Sequence, residues 1–286
     1  DYTVVQGGEG SINLNFHSEV IWGEGNIDAD PLFVDTANGN YHLLATSQLI
    51  NAGHPDSLDS DGSRADMGAY PYLNSYSGPT WYITEGGNDT TGTGASDNPF
   101  RSIQSGINFS SDDDSVTVAA GTYVENINFR GRNIKVVGED RETTTIDGDS
   151  SGSVVTFQNG ETSSALLSGF TIQNGSAVYG GGIYANGASA MIIDITITGN
   201  DAQERGGGIF VDGHHQSLVL NNVHIANNSA GYGGGGVAYE GEGVDYSDDS
   251  NQVVWTVPAD FELGTMYYYC TLHAGMAGSG VITITD

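Results

Sequence analysis

The chain of 286 residues carries 7 Lys and Arg against 36 Asp and Glu, a formal charge of −29. Such a surface repels nucleic acid and anionic membranes while attracting divalent cations and basic partners, so nucleic-acid binding is excluded. Glycine reaches 43 residues, about twice the usual ~7%, a single cysteine precludes an internal disulfide framework, and no run approaches the roughly 18 apolar residues of a membrane span.

The chain opens on Asp1 with neither Met nor a signal-like segment, and it reads as a mature or excised piece. Excess Asp, abundant Ser, Thr and Asn, and few Lys suit saline, calcium-rich surroundings, so an extracellular or cell-surface location is expected. In "DSLDSDGSRAD", Asp56, Asp59, Asp61 and Asp66 gather around a glycine turn. Closely spaced carboxylates on a tight loop are what the oxygen shell of calcium requires, although the Glu that ends an EF-hand loop is missing. The structural alternative is that Arg64 pairs with Asp66 or Asp61 to close the turn. "NSYSGPT" at 74–80 marks a joint. After it, Phe100, Ile103 and Ile107 recur on one face of a short amphipathic helix. Short β-branched runs around Val116, Ile127, Ile134 and Ile146 predict strands. The acidic runs at 110–115 and 245–251 read as solvated loops, and the sequons at Asn88, Asn108, Asn174 and Asn227 carry little weight in an Asn-rich chain.

Three later segments superpose: "FTIQNGSAVYGGGIY" from Phe170, "ITITGNDAQERGGGIF" from Ile195 and "VHIANNSAGYGGGGVAY" from Val223. Ile172, Ile197 and Ile225 lie 25 and 28 residues apart, as do Gly175, Asn200 and Asn228, and Ala177, Ala202 and Ala230. A period in the twenties, built of strand, Asn/Gly corner, strand and glycine corner, predicts a solenoid whose apolar face is covered only by neighbouring coils. Alternation turns Phe170, Ile172, Ile195, Ile197, Val223 and Ile225 inward and Thr171, Thr196 and His224 outward. Corner Asn residues tolerate positive φ and can bond their counterparts in adjacent coils.

These residues resemble the right-handed parallel β-helix (pectate-lyase-like) superfamily, and the "N-x-A … GGGIY" rhythm resembles the repeats of polymorphic outer-membrane adhesins. The expected class is therefore all-β, a right-handed parallel β-helix with a small antiparallel β segment at the carboxyl terminus. "WYITEGGNDTTGTGASDNPFRSIQSGINF" resembles the opening of such a domain, its helix capping the first coil. Residues 1–73, with "GNIDADPLFVDTANGNYHLLATSQLINAG" and "DSDGSRADMGAYPY", resemble its closing coils. The expected order is thus closing coils at 1–73, the joint at 74–80, cap and coils at 81–243, and a separate segment at 244–286. Closing coils ahead of opening ones imply either a piece of a tandem array or head-to-tail self-association, in which residues 10–45 of one copy stack on the coil ending near Tyr239 of another. An adhesive or structural role follows, with surface polysaccharide as an expected partner and no membrane insertion.

In the carboxyl-terminal segment the cysteine stands in Cys270-x2-His273-x2-Met276. Thiolate and imidazole with a weak axial thioether form a copper set, and the segment resembles the last strands of cupredoxins with the short ligand loop of amicyanin-like members. No histidine lies between Gly241 and Cys270, so His214, His215 or His224 would have to complete the site. The alternative is a strand pair with an incidental Cys-His-Met turn. Superfamily members that cleave acidic polysaccharides need groove cations or paired acids. The seven cations here, Arg64, Arg101, Arg130, Arg132, Lys135, Arg141 and Arg205, assemble no catalytic set, with Arg130-Gly131-Arg132 reading as a turn. A polysaccharide lyase or hydrolase is therefore an alternative and not the expectation.

Overall fold

The computed structural model describes residues 2–5, 7–12, 21–23, 25–212 and 218–240. The chain divides into two compact units, Asp1–Ala119 and Ala120–Asp286.

In the first unit, β1 (Phe33–Asp35) and β2 (Asn40–Leu43) form an antiparallel hairpin. Its turn is held by Asp35, whose carboxylate accepts from the Asn38 backbone and side chain, and by Gly39 at φ 75°. Antiparallel pairing therefore appears at 33–43, whereas the antiparallel segment expected at 244–286 lies outside the described residues. Nearby, Val4 and Ile27 bridge in parallel, as successive solenoid rungs do. Leu43, Leu49, Ile50, Ala52 and Met67 form a buried cluster against which Tyr72 and Phe109 pack. Further on, β3 (Thr80–Ile83) and β4 (Ser115–Val118) pair in parallel, with Trp81 opposite Val116 and Ile83 opposite Val118.

Helix α1 (Ile103–Phe109) lies on these two strands, and its predicted face of Phe100, Ile103 and Ile107 is wholly buried. Close approach is allowed by Gly106, where a Cβ would sit 2.7 Å from Val116 Cγ1. The carboxamide of buried Asn108 donates to the carbonyls of Ala45 and Ser47, both at 2.9 Å, so this sequon is sealed inside the fold. Residues 74–80 are pinned as well: Asn74 donates to the Thr93 carbonyl and the Tyr76 hydroxyl to that of Thr80. The acidic run at 110–115 is not wholly solvated as expected. Asp112 and Asp113 are exposed, but Asp114 is buried and accepts from Trp81 Nε1 at 2.9 Å.

The second unit is a parallel β-solenoid. Its first strands are β5 (Gly121–Val124), β6 (Ile127–Asn128), β7 (Lys135–Gly138), β8 (Thr144–Asp147) and β9 (Val155–Phe157). Ile134 is buried just ahead of β7, outside a strand. The next coil is β10 (Leu166–Gln173), β11 (Ser176–Tyr179) and β12 (Ile183–Asn186). It is followed by β13 (Met191–Thr198), β14 (Asp201–Arg205) and β15 (Ile209–Asp212), then by β16 (Val219–Ala226), β17 (Ser229–Ala230) and β18 (Val237–Glu240). Strands stack by kind: β7 and β8 under β10, β13 and β16; β11 under β14 and β17; β6 under β9, β12, β15 and β18. Ile172 pairs with Ile197 and Ile197 with Ile225, the column expected from the repeat. Phe170, Ile172, Ile195 and Ile197 are fully buried, each worth about 1.5–3 kcal/mol relative to exposure.

The uneven period has a local cause. The step from Ile197 to Ile225 is three residues longer than that from Ile172 to Ile197; one is absorbed by a register shift between Ala177 and Tyr179 against β14, the other two between β15 and β16. The asparagine corner also differs from expectation in detail, because positive φ and coil-to-coil bonding fall on consecutive positions. Asn174, Gly199 and Asn227 take the left-handed conformation, at φ 57°, 67° and 55°. The next position makes the ladder: the Gly175 N–H donates to Asn200 Oδ1 at 2.8 Å, the Asn200 N–H donates to Asn228 Oδ1 at 3.0 Å, and Asn200 Nδ2 donates to the Ile172 and Thr198 carbonyls. At the other corner the glycine runs lie backbone on backbone, Gly182 N–H to Gly207 O at 3.0 Å and Gly208 N–H to Gly235 O at 2.9 Å.

Two stability predictions follow from these corners. At Gly207 a Cβ would lie 2.1 Å from the Ser229 carbonyl oxygen, which cannot move without breaking the stack. Gly207→Ala is expected to cost about 3 kcal/mol in chemical denaturation. Gly233→Ala, where no atom lies within 4 Å, is expected to be neutral. Asn200→Ala strands two carbonyls and one N–H in a residue 1% exposed and is expected to cost about 3 kcal/mol. Half-buried Asn228 is expected to lose less on the same change.

Candidate functional site

Side chains alternate across each strand, so residues in register on neighbouring coils project on one side in a column. On the sheet of β6, β9, β12 and β15, the outward column is Asn128, Thr156, Tyr184 and Phe210. Phe210 faces outward yet is only 2% exposed. It lies flat beneath Tyr184, with ring centres 6.0 Å apart and planes 9° apart, and 4.8 Å from the Tyr179 ring. Tyr184 is thereby held in one orientation, and its hydroxyl accepts from Asn186 Nδ2 at 3.2 Å. The tyrosine at the rim is fixed too: the Tyr179 hydroxyl donates to Glu204 Oε2 at 2.5 Å, and its carbonyl accepts from Ser153 Oγ.

Tyr184 and Tyr179 lie on an open groove of about 560 Å³. Its floor is Asn128, Thr156, Gln158 and Tyr184; its walls are Gly152 and Ser153 on one coil and Ser176 to Tyr179 with Gln203 on the next two. None of the lining residues carries a charge, in a chain with 36 acidic side chains. The chemistry this groove offers is stacking and hydrogen bonding. Sequence reasoning passed over Thr156, Gln158 and Tyr184. The signal that could have found them is the outward position of successive windings in "VTFQ" and "IYAN", which is uncharged each time.

The aspartate turn is organised differently. Asp66 Oδ1 and Oδ2 accept the Asn51 and Tyr72 N–H groups, both at 2.7 Å, and Asp59 Oδ2 accepts the Asp66 N–H at 3.0 Å. Asp61 accepts from the Ser63 hydroxyl and N–H and from the Asn74 N–H. The side chain of Asp56 stands apart, 91% exposed, with His54 Nδ1 3.8 Å away. Arg64 pairs with neither Asp66 nor Asp61. Their oxygens are taken by backbone donors, and the guanidinium instead donates to the Gly53 carbonyl at 2.7 Å and lies over the Tyr2 ring. Among the described residues, no group of three or more His, Cys, Asp or Glu side chains is arranged to hold a metal ion. The copper set Cys270, His273 and Met276 lies outside the described residues, as do His214 and His215; His224 is exposed on β16.

Burial of the Asp66 carboxyl raises its pKa to about 6, against the two N–H groups that lower it, and the negative charges of Asp59 and Asp61 add to the rise. Burial also raises Asp61, but the bonds from Ser63 and Asn74 outweigh it and leave that carboxyl below its ordinary value.

Comparison with known proteins finds no matching family model, no matching curated protein and no matching solved structure.

Because Asp66 binds its proton more tightly folded than unfolded, its contribution to stability is fully present below about pH 4 and is lost as pH rises through about 6. Denaturation of the parent chain and of Asp66→Asn across this range isolates the group: the parent is expected to lose stability relative to the variant between pH 4 and pH 7.

Proposed function

We propose that this chain is an extracellular structural or adhesive β-solenoid that associates head to tail, coil upon coil, with further copies of itself. The observation that carries this is the last described coil. Among the described residues, strands β16, β17 and β18 bond in register to β13, β14 and β15 on one side and to no strand on the other, and Val223 and Ile225 are only half-buried where Ile195 and Ile197 are fully buried. A coil in this state offers backbone donors, acceptors and apolar side chains to another rung. The parallel bridge between Val4 and Ile27 supports a donor of that kind, since the Val5 N–H donates to the Ile27 carbonyl and the Ile27 N–H to the Thr3 carbonyl across an offset close to that of the coils. A heterologous contact between one such rung and β16–β18 of another copy does not close, and so propagates into a filament.

The charge of −29 opposes this association, and salt screens it: the Debye length falls from about 30 Å at 0.01 M to about 8 Å at 0.15 M. Light scattering and electron microscopy are expected to find growth with ionic strength, and Ile225→Asp is expected to abolish it. Particles that remain single at every salt concentration would remove the proposal.

A further inference from the structure

We infer that the uncharged groove over β9 and β12 is a glycan-binding site selective for neutral oligosaccharides, with Tyr184 as the stacking platform and Thr156, Gln158 and Gln203 as hydrogen-bonding groups. This rests on the adhesive role proposed above and specifies what the surface adheres to.

Four observations point the same way. First, the platform is built before any ligand arrives. Phe210, 2% exposed, backs the Tyr184 ring in a parallel stack, so one ring face is supported from below and the ring loses little freedom on binding. Second, the neighbouring coils place hydroxyl and carboxamide groups beside that ring at the sheet's own repeat of about 4.8 Å. Thr156 is directly in register with Tyr184, and Gln158 and Gln203 are exposed on the lining. Aromatic faces flanked by neutral donors and acceptors match a sugar ring, which has an apolar C–H face and an equator of hydroxyls. Third, the groove is charge-neutral while the chain is strongly acidic. A uronate, sulfate or sialate would meet no cation in the lining and would be repelled by the surrounding field, whereas a neutral sugar meets neither penalty. Fourth, the strands that carry Thr156 and Tyr184 are not sheet edges, because β9 is bonded to β6 and β12, and β12 to β9 and β15. An extended peptide therefore cannot bind here by strand addition, and recognition passes through side chains. The volume of about 560 Å³ lies within the range of small-ligand sites, roughly 300–1,000 Å³, and accommodates a short oligosaccharide.

The test is affinity electrophoresis of the full chain in gels containing neutral polymers (xyloglucan, glucomannan, β-1,3-glucan, galactomannan) or acidic ones (polygalacturonate, alginate), followed by calorimetry on the oligosaccharides of any polymer that retards it. Retardation by at least one neutral polymer and by neither acidic one is expected. Tyr184→Ala is expected to weaken binding about tenfold and Tyr184→Phe to retain it. Gln158→Glu, which puts a carboxylate on an exposed floor position without removing packing, is expected to abolish retardation even if Tyr184→Ala proves unstable. Equal or stronger retardation by the acidic polymers, no retardation by any of the neutral ones, or unchanged binding in both Tyr184→Ala and Gln158→Glu would overturn the inference. Light scattering on the same samples separates the two proposals: chains that assemble but bind no neutral glycan refute the site alone, and chains that bind glycan but never assemble refute the association alone.

Discussion

Backbone-to-backbone bonding between coils in a single register is the constraint on which the second unit depends. Bonds such as Gly182 N–H to Gly207 O and Ile209 N–H to Gly236 O hold each winding at the spacing of neighbouring strands. At that spacing a residue type repeated in every coil becomes a continuous column. Isoleucine columns exclude water only if every coil keeps step, and the coils keep step only if their corners turn in the same space. The glycine runs are therefore dictated by contact and not merely by turning: the room a side chain would occupy is already filled by the carbonyls of the next coil. Asn200 answers the same constraint with polar atoms: its N–H donates to Asn228 Oδ1, its carboxamide nitrogen donates to the Ile172 carbonyl, and its carboxamide oxygen accepts from the Gly175 N–H.

In the first unit the apolar strands are covered by a helix and by an irregular segment. Helix α1 lays Ile103 and Ile107 on β3 and β4, and the segment around Leu43 to Met67 closes over Phe109. Asn108 joins these layers, being buried on the helix and bonded to two carbonyls of the preceding segment. A leucine there would fill the volume but leave both carbonyls without a donor, which is why a polar residue occupies a wholly buried position.

The acidic residues and the groove divide the surface chemically. Where carboxylates cluster, as at Asp59, Asp61 and Asp66, they accept backbone N–H groups of the turn and its neighbours. In the groove over β9 and β12 the lining residues are uncharged, and the Tyr184 and Tyr179 rings are backed by Phe210.

The solenoid was legible in the sequence because its period is covalent: Ile172, Ile197 and Ile225 announce a column by spacing alone, and Phe100, Ile103 and Ile107 announce a buried helix face. Local chemistry that depends on partners distant in sequence was not legible. Nothing near Arg64 in the chain reveals that the Gly53 carbonyl, not Asp61 or Asp66, receives its guanidinium, nor does the run at 110–115 reveal that Asp114 accepts from Trp81. The groove is of the same kind, since Asn128, Thr156 and Tyr184 share a face only after three windings have been laid in register. Periodicity determines which residues point inward, because strand geometry is local. Which outward groups meet is decided only by the stacking of coils, because that brings together positions roughly a full winding apart.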